Sequence, residues 1–196
     1  MSFAVSAEIS EPFEHAIIFS NELIDAFPVQ RVIGRGEVLR QLCVSVNEAG
    51  EFVWVESDLT DKVAAYCADI ELHLSEGQVF EVNLDAEDFL SRAAALLNEG
   101  LVITVDYGAT RDELLNAPDR FAGTLRAFRR HQFVNNVLAN PGTQDLTTTV
   151  DWTQMQRSGA SHGLETLRLE RLDLFLLSEG LLEALSDLSR QISSPC

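Results

Sequence analysis

Two short apolar runs constrain this chain more than any other feature. Ala16 to Phe19 stops at Ser20-Asn21-Glu22, with Asp25 three residues further on, and Leu101 to Val105 stops at Asp106-Tyr107-Gly108. Each reads as a short strand, His15 to Ser20 and Leu101 to Val105, buried on both faces as in a parallel sheet. In open α/β sheets, ligands collect beyond the carboxyl ends of parallel strands. If the two strands are neighbours, their polar ends share one rim. Glu22 and Asp25, three residues apart, fall on one side of a helical turn. The rim is then acidic, bears an amide and is flanked by an aromatic. It suits a guanidinium or ammonium group, because a carboxylate takes arginine in a bidentate, charge-assisted pair. The plainer alternative is that Asn21 and Asp25 cap the turn and Glu22 is solvated.

The intervening sequence is organised differently. From Val29 to about Ser57, apolar and polar residues alternate and break at Gly34-Arg35-Gly36 and Glu48-Ala49-Gly50. That predicts an antiparallel meander of about three strands, with Gly34-x-Gly36 as a hairpin turn and not a phosphate loop. Thr60 to Asp69 predicts a helix. Gln78 to Asn83 predicts a strand, and Asp85 is placed to cap a helix that Gly100 ends. With the strand from Leu101 this makes a βαβ unit and predicts a right-handed parallel crossover. Asp151 is a credible N-cap for a helix starting at Trp152. The last third holds an alternating run, "LETLRLERLDLFLL", and an amphipathic helix from about Ser178 to Ile192. The organisation expected is a polar leader over 1–14 and a single α/β domain over 15–196, with the meander inserted at about 29–57.

Charge and composition narrow the partners. Of 196 residues, 31 are acidic and 14 basic, a formal net charge of −17, which repels nucleic acid and anionic lipid and favours cationic partners. No apolar stretch approaches the ~20 residues of a membrane span. The N-terminus has neither a basic n-region nor arginine, so no signal or transit peptide is read there, and a bacterial cytoplasm is the expected home. Cys43, Cys67 and Cys196 lack C-x-x-C spacing and read as reduced thiols. The four histidines never fall at i,i+3 or i,i+4 with one another, so no zinc site is expected. "RAFRRH", Arg126 to His131, reads as neutralising neighbouring acids.

The segments "FSNELIDAFPVQRV", "EVNLDAEDFLSRAAALLNEGLVITVDYG", "GTLRAFRRHQFVNNVLANPGTQDLTTTVDW" and "GLETL" follow one another in this order. Together they resemble the later half of the MidA-type family, S-adenosylmethionine-dependent class I methyltransferases. Mitochondrial members of that family methylate an arginine of a respiratory complex I subunit during assembly. The resemblance runs from about Glu14 to about Leu182. It implies a fold of class α/β, a partial Rossmann-like methyltransferase sheet in which the strands ending at Ser20 and Asp106 are the fourth and fifth. Asn21, Glu22, Asp25 and Pro28 match the family's "NELLDALP", Asp106-Tyr107-Gly108 its "DYG", and Gln144, Asp145 and Asp151 its "QDITAHVD".

By that resemblance Glu22, Asp25 and Asp106 are the candidate catalytic carboxylates, with Glu22 as the clamp on a guanidinium. Asn21, Tyr107, Gln144 and Asp145 are candidate substrate contacts, and Ser20 and Asn21 candidate contacts to S-adenosylmethionine. The implied chemistry is attack of a guanidino nitrogen on a sulfonium methyl, aided by carboxylates that align the nucleophile and take its proton. The family's glycine-rich "E-x-G-x-G-x-G" turn and its ribose-binding acid do not occur in these 196 residues. The expected partners are a protein with an exposed arginine and a missing N-terminal half or a second copy. A cofactor-free relic that binds a protein or dimerises is the alternative reading.

Overall fold

A computed structural model describes residues 11–192, whose contacts fall into two compact units, one ending at Leu164 and one starting at Glu165. The sequence-based domain from 15 to 196 spans both, and most of the polar leader and Cys196 lie outside the described residues. Within the first unit, strand β1 (Phe13–Asn21) pairs in parallel with β6 (Leu97–Val105). The register sets Ile17 opposite Leu101 and Asn21 opposite Val105, so both carboxyl ends lie together.

The meander forms a separate antiparallel sheet. Strands β2 (Gln30–Arg35), β3 (Val38–Val46) and β4 (Phe52–Ser57) run in sequence, and β5 (Val79–Val82) adds to the far side of β2. The β2–β3 turn holds Gly36 at φ 62°, the left-handed backbone that a two-residue hairpin requires. Helix α1 (Asp61–Asp69) follows β4. Its buried Val63, Tyr66 and Cys67 pack with Val32, Phe80, Val82 and Leu114 in one core cluster. Burial pushes the Cys67 thiol up to about 11.

Helix α2 (Leu84–Ala95) carries Ala86 and Leu90 into a second cluster with Ile24, Val150 and Met155, against which Val102 of β6 packs. Two-residue strands β7 (Gly108–Ala109) and β11 (Val150–Asp151) pair in parallel. Between them come helix α3 (Arg111–Asn116), strands β8 (Arg126–Arg129) and β9 (Gln132–Val134), and β10 (Asp145–Thr147), the last three forming an antiparallel sheet. Helix α4 (Trp152–Ser161) closes the unit. In the second unit, α5 (Leu172–Ser178) and α6 (Leu181–Ile192) follow an extended lead in which Arg168 pairs with Glu179 at 2.7 Å.

Several sequence expectations are corrected. The predicted βαβ unit is not one: β5 pairs antiparallel with β2, and the parallel partner of β6 is β1. Alternating strand and helix fix the order of elements, whereas the choice of neighbour depends on the whole sheet. Asn83, not Asp85, caps α2. Its Oδ1 accepts from the Ala86 amide at 3.0 Å while its Nδ2 donates to the Ile24 carbonyl at 3.2 Å, and only an amide side chain does both.

That helix ends well before Gly100, because Leu97 already pairs with Phe13. Gly100 lies inside β6, where a Cβ would stand 2.0 Å from the Ala16 carbonyl oxygen. The strand ending at Ser20 is not buried on both faces, since Ile17 and Phe19 are 65% and 63% exposed. The alternating run ends in helix α5, where Leu172, Leu176 and Leu177 fall at helical spacing.

Candidate functional site

The two strand ends are tied by hydrogen bonds that local sequence does not announce. Ser20 Oγ donates to Thr104 Oγ1 at 3.1 Å, and the Glu22 amide donates to the Val105 carbonyl at 2.9 Å. Beyond Glu22 the chain makes a turn, closed by the Phe27 amide on the Ile24 carbonyl at 3.1 Å. Asp106 Oδ2 accepts from the amides of Leu23, Ile24 and Asp25 at 3.2, 2.9 and 3.3 Å, and its Oδ1 from the Tyr107 amide at 2.8 Å. One carboxylate from β6 therefore satisfies the donors at the end of β1. Turn amides that sequence alone assigned to caps within the same segment go to a residue over eighty positions away.

Glu22 stands differently. It is exposed and its backbone is left-handed, φ 46°, a conformation costly for a side chain of this kind. Its Oε1 accepts from the Tyr107 hydroxyl at 3.2 Å, and that bond raises the phenol's pKa. Asp25, only 5% exposed, is held through its backbone: its carbonyl accepts from the Thr148 amide at 2.8 Å and from Thr148 Oγ1 at 3.3 Å. Burial first, then the charges of Asp106 and Glu22, push the Asp25 carboxyl above its ordinary value, while Arg126 pulls it back. Arg126 opens the basic cluster read as neutralising acids. Its Nε is buried without a hydrogen-bond partner.

The remaining matched residues lie further along the chain. Gln144 Nε2 donates to the Ala139 carbonyl and closes its own loop, while Asp145 lies exposed at the start of β10 opposite Phe128. Asp151 caps α4 as expected, its Oδ1 accepting from the Gln154 amide at 3.1 Å. Its Oδ2 also takes Arg111, at 2.9 Å from Nε and 2.8 Å from Nη2, and Nη2 reaches the Tyr66 hydroxyl at 3.1 Å. The pair is largely buried, with 13% and 5% of the two side chains exposed. Gly108 is required by contact, because a Cβ there would stand 2.0 Å from Trp152 Nε1.

The structure thus brings Asn21, Glu22, Asp25, Asp106 and Tyr107 together, with the bonds of Gln144 going to its own loop. Sequence reasoning missed Thr148 and Arg111, whose partners lie 123 and 40 residues away. The one signal for Thr148 was its place between Asp145 and Asp151 in the matched segment. Ser20 and Asn21, the candidate contacts to S-adenosylmethionine, lie at the end of β1 beside Thr104 and Val105. Ser20 is buried with its hydroxyl given to Thr104, which leaves Asn21 as the exposed polar side chain of the two. Among the described residues, no cluster of three His, Cys, Asp or Glu could hold a metal ion, and no helix is long and apolar enough to cross a membrane.

Residues 2–169 match a family model described as "Putative S-adenosyl-L-methionine-dependent methyltransferase". No curated protein matches the chain. Two crystal structures from Burkholderia thailandensis are similar. One, an uncharacterized superfamily protein, is 28% identical with a TM-score of 0.83, over 91% of this chain and 47% of its own. The other is described as a superfamily member and "likely methyl transferase" bound to S-adenosyl-homocysteine. It is 29% identical with a TM-score of 0.82, over 91% of this chain and 46% of its own. The chain spans about half the length of the solved structures it matches.

Proposed function

Because this chain belongs to the family of S-adenosyl-L-methionine-dependent methyltransferases so described, we propose that its acidic rim receives the methyl acceptor of such an enzyme. The acceptor in this reading is the guanidinium of a protein arginine, as in the MidA-type enzymes that the sequence resembles. The observation that carries it is Glu22. This exposed carboxylate sits on a left-handed backbone at the end of a parallel strand pair, and its side chain accepts a hydrogen bond from a tyrosine hydroxyl. Backbone strain kept at a position that does little for the fold is a mark of function.

The roles then divide. Glu22 takes the guanidinium in a charge-assisted pair, with Tyr107 yielding its hydrogen bond as the acceptor arrives. Asp25, whose raised pKa makes it a stronger base than an ordinary aspartate, takes the proton that the nitrogen sheds. Asp106 is a positioning residue that fixes the turn carrying both, and Asn21 is the side chain left to touch the cofactor. In this reading β1 and β6 are the fourth and fifth strands of a class I methyltransferase sheet. The relative bound to S-adenosyl-homocysteine supports the cofactor class, and the charge of −17 supports a cationic partner. A bacterial cytoplasm is the compartment proposed.

Calorimetric titration of the chain with an arginine-containing peptide and with its lysine counterpart tests this without cofactor. The arginine peptide should bind about tenfold more tightly, and Glu22→Gln should erase the preference. Equal affinity for the two peptides, or an unchanged preference in Glu22→Gln, would refute it.

A further inference from the structure

Several arginines of the first unit sit against acids. Arg31 takes Glu81 at 3.1 Å, Arg111 takes Asp151 at 2.8 Å and Arg157 takes Asp69 at 2.8 Å. The cluster from Arg126 to His131, expected to neutralise neighbouring acids, forms no ion pair among the described residues. In a chain with 31 acidic and 14 basic residues, acids to pair with are not scarce. Arginines held away from them stand open to an anion from outside.

The end of the cluster is also strained. Strand β8 turns into β9 through a two-residue hairpin, with Arg129 opposite Gln132 and with Arg130 and His131 at its tip. Arg129, Arg130 and His131 are all exposed. The two tip residues have φ of 51° and 62°. A two-residue hairpin needs that backbone, which asparagine and glycine adopt readily and arginine does not. The β2–β3 turn has Gly36 for the same demand. An arginine and a histidine thus stand where the fold alone favours Asn-Gly, and strain of this kind marks a working position. Beside them Phe133, its ring edge-on to Phe128 at 6.0 Å, is 61% exposed.

Strand β8 leads from the rim to this tip. Its first residue, Arg126, pairs with Thr147, and the following Thr148 donates its amide to the Asp25 carbonyl at 2.8 Å. From Arg126 to Arg129 a strand rises about 10 Å, which an extended peptide covers in about three or four residues.

We propose that the β8–β9 tip docks acidic residues of the polypeptide whose arginine enters the rim, glutamates or aspartates about three or four positions from it. The inference rests on the rim as the acceptor site. Its occupant carries both signs of charge within about 10 Å, as a peptide can. A nucleic acid or an anionic membrane carries one sign and meets a chain of −17. That net charge repels an acidic peptide from the molecule as a whole, so a preference for acids has to come from a local cationic site.

Calorimetric titration of the chain compares an arginine peptide bearing two glutamates at that spacing with its glutamine counterpart. The glutamate peptide should bind about tenfold more tightly, with a margin that shrinks as salt rises. The same margin is expected when lysine replaces arginine in both peptides, and in Glu22→Gln, so a failure of the rim leaves the hairpin readable. Arg130→Asn with His131→Gly supplies the residues the turn prefers. It should erase the margin and raise the melting temperature by about 2–4 °C. Arg129→Gln should cut the margin and leave the melting temperature unchanged. A margin that is absent or reversed in the wild type, or that survives either variant, would overturn the proposal. So would a melting temperature that falls in the double variant, which would make the pair a device of the fold. Tighter binding of a single-stranded RNA or a phosphatidylglycerol vesicle, lost in the same variants, would assign the tip to those partners and overturn it too.

Discussion

Replacing Asp106 should do more damage to the fold than replacing Glu22, although both are carboxylates of the same rim. Asp106 Oδ2 accepts three consecutive amides, of which the Ile24 bond at 2.9 Å is the shortest. Ile24 is wholly buried, so Asp106→Ala leaves its N–H with neither carboxylate nor water. A hydrogen bond to a charged group contributes about 1.5–3 kcal/mol, and a buried unsatisfied donor costs about 1–3 kcal/mol. Three donors sharing one oxygen do not add in full, and the two longer bonds add little. We expect Asp106→Ala to cost about 3 kcal/mol and Asp106→Asn, which keeps a neutral acceptor, about 1 kcal/mol.

With a urea m-value of about 2 kcal/mol/M, the midpoints should fall by about 1.5 M and about 0.5 M. Asp106→Asn also removes one of the charges that raise Asp25, so the Asp25 carboxyl should titrate lower by nuclear magnetic resonance. Equal midpoints for the two variants, a loss below about 0.5 kcal/mol in Asp106→Ala, or an unmoved Asp25 titration would refute the reasoning.

Asp25 itself should shape stability against pH. Its folded value lies above the ordinary 3.8, so its contribution is fully present below the unfolded pKa and lost as pH rises through the folded one. Asp25→Asn should therefore gain on the wild type in urea melts as pH rises above the ordinary 3.8, and parallel profiles would contradict this. Arg111→Met strands a buried Asp151 carboxylate and should cost about 3 kcal/mol or more, while Arg111→Met with Asp151→Asn recovers much of it. Thermal melts in which the two single losses simply add would exclude that coupling. Gly108→Ala drives a methyl into Trp152 and should cost about 1–3 kcal/mol with altered tryptophan fluorescence. The penalty should shrink in a Trp152→Ala background.

What could be read from sequence was what repeats locally. Two apolar runs with polar ends predicted the neighbouring parallel strands, and Val29 to Ser57 predicted the meander through its alternation and glycine breaks. Asp151 before Trp152 announced its cap. The failures share one cause, that nothing near a residue in sequence names a partner far from it. Val79–Val82 looks the same whether it joins β2 or β6, and nothing near Asp106 announces the three amides from positions 23 to 25 that it accepts. Asn83 hid behind Asp85, because its second bond runs to Ile24. The exposed face of β1 was hidden for the opposite reason. Ile17 and Phe19 are apolar, and an apolar run reads as buried whether or not the described residues cover it.

The separation of duties between Asp106 and Glu22 has an evolutionary consequence. Since the anchoring carboxylate follows one strand and the solvent-facing one another, position 22 can change among residues that tolerate its left-handed backbone without loosening the loop that presents it. Relatives that keep an acid at 106 and differ at 22 would then hold one chassis and take different acceptors.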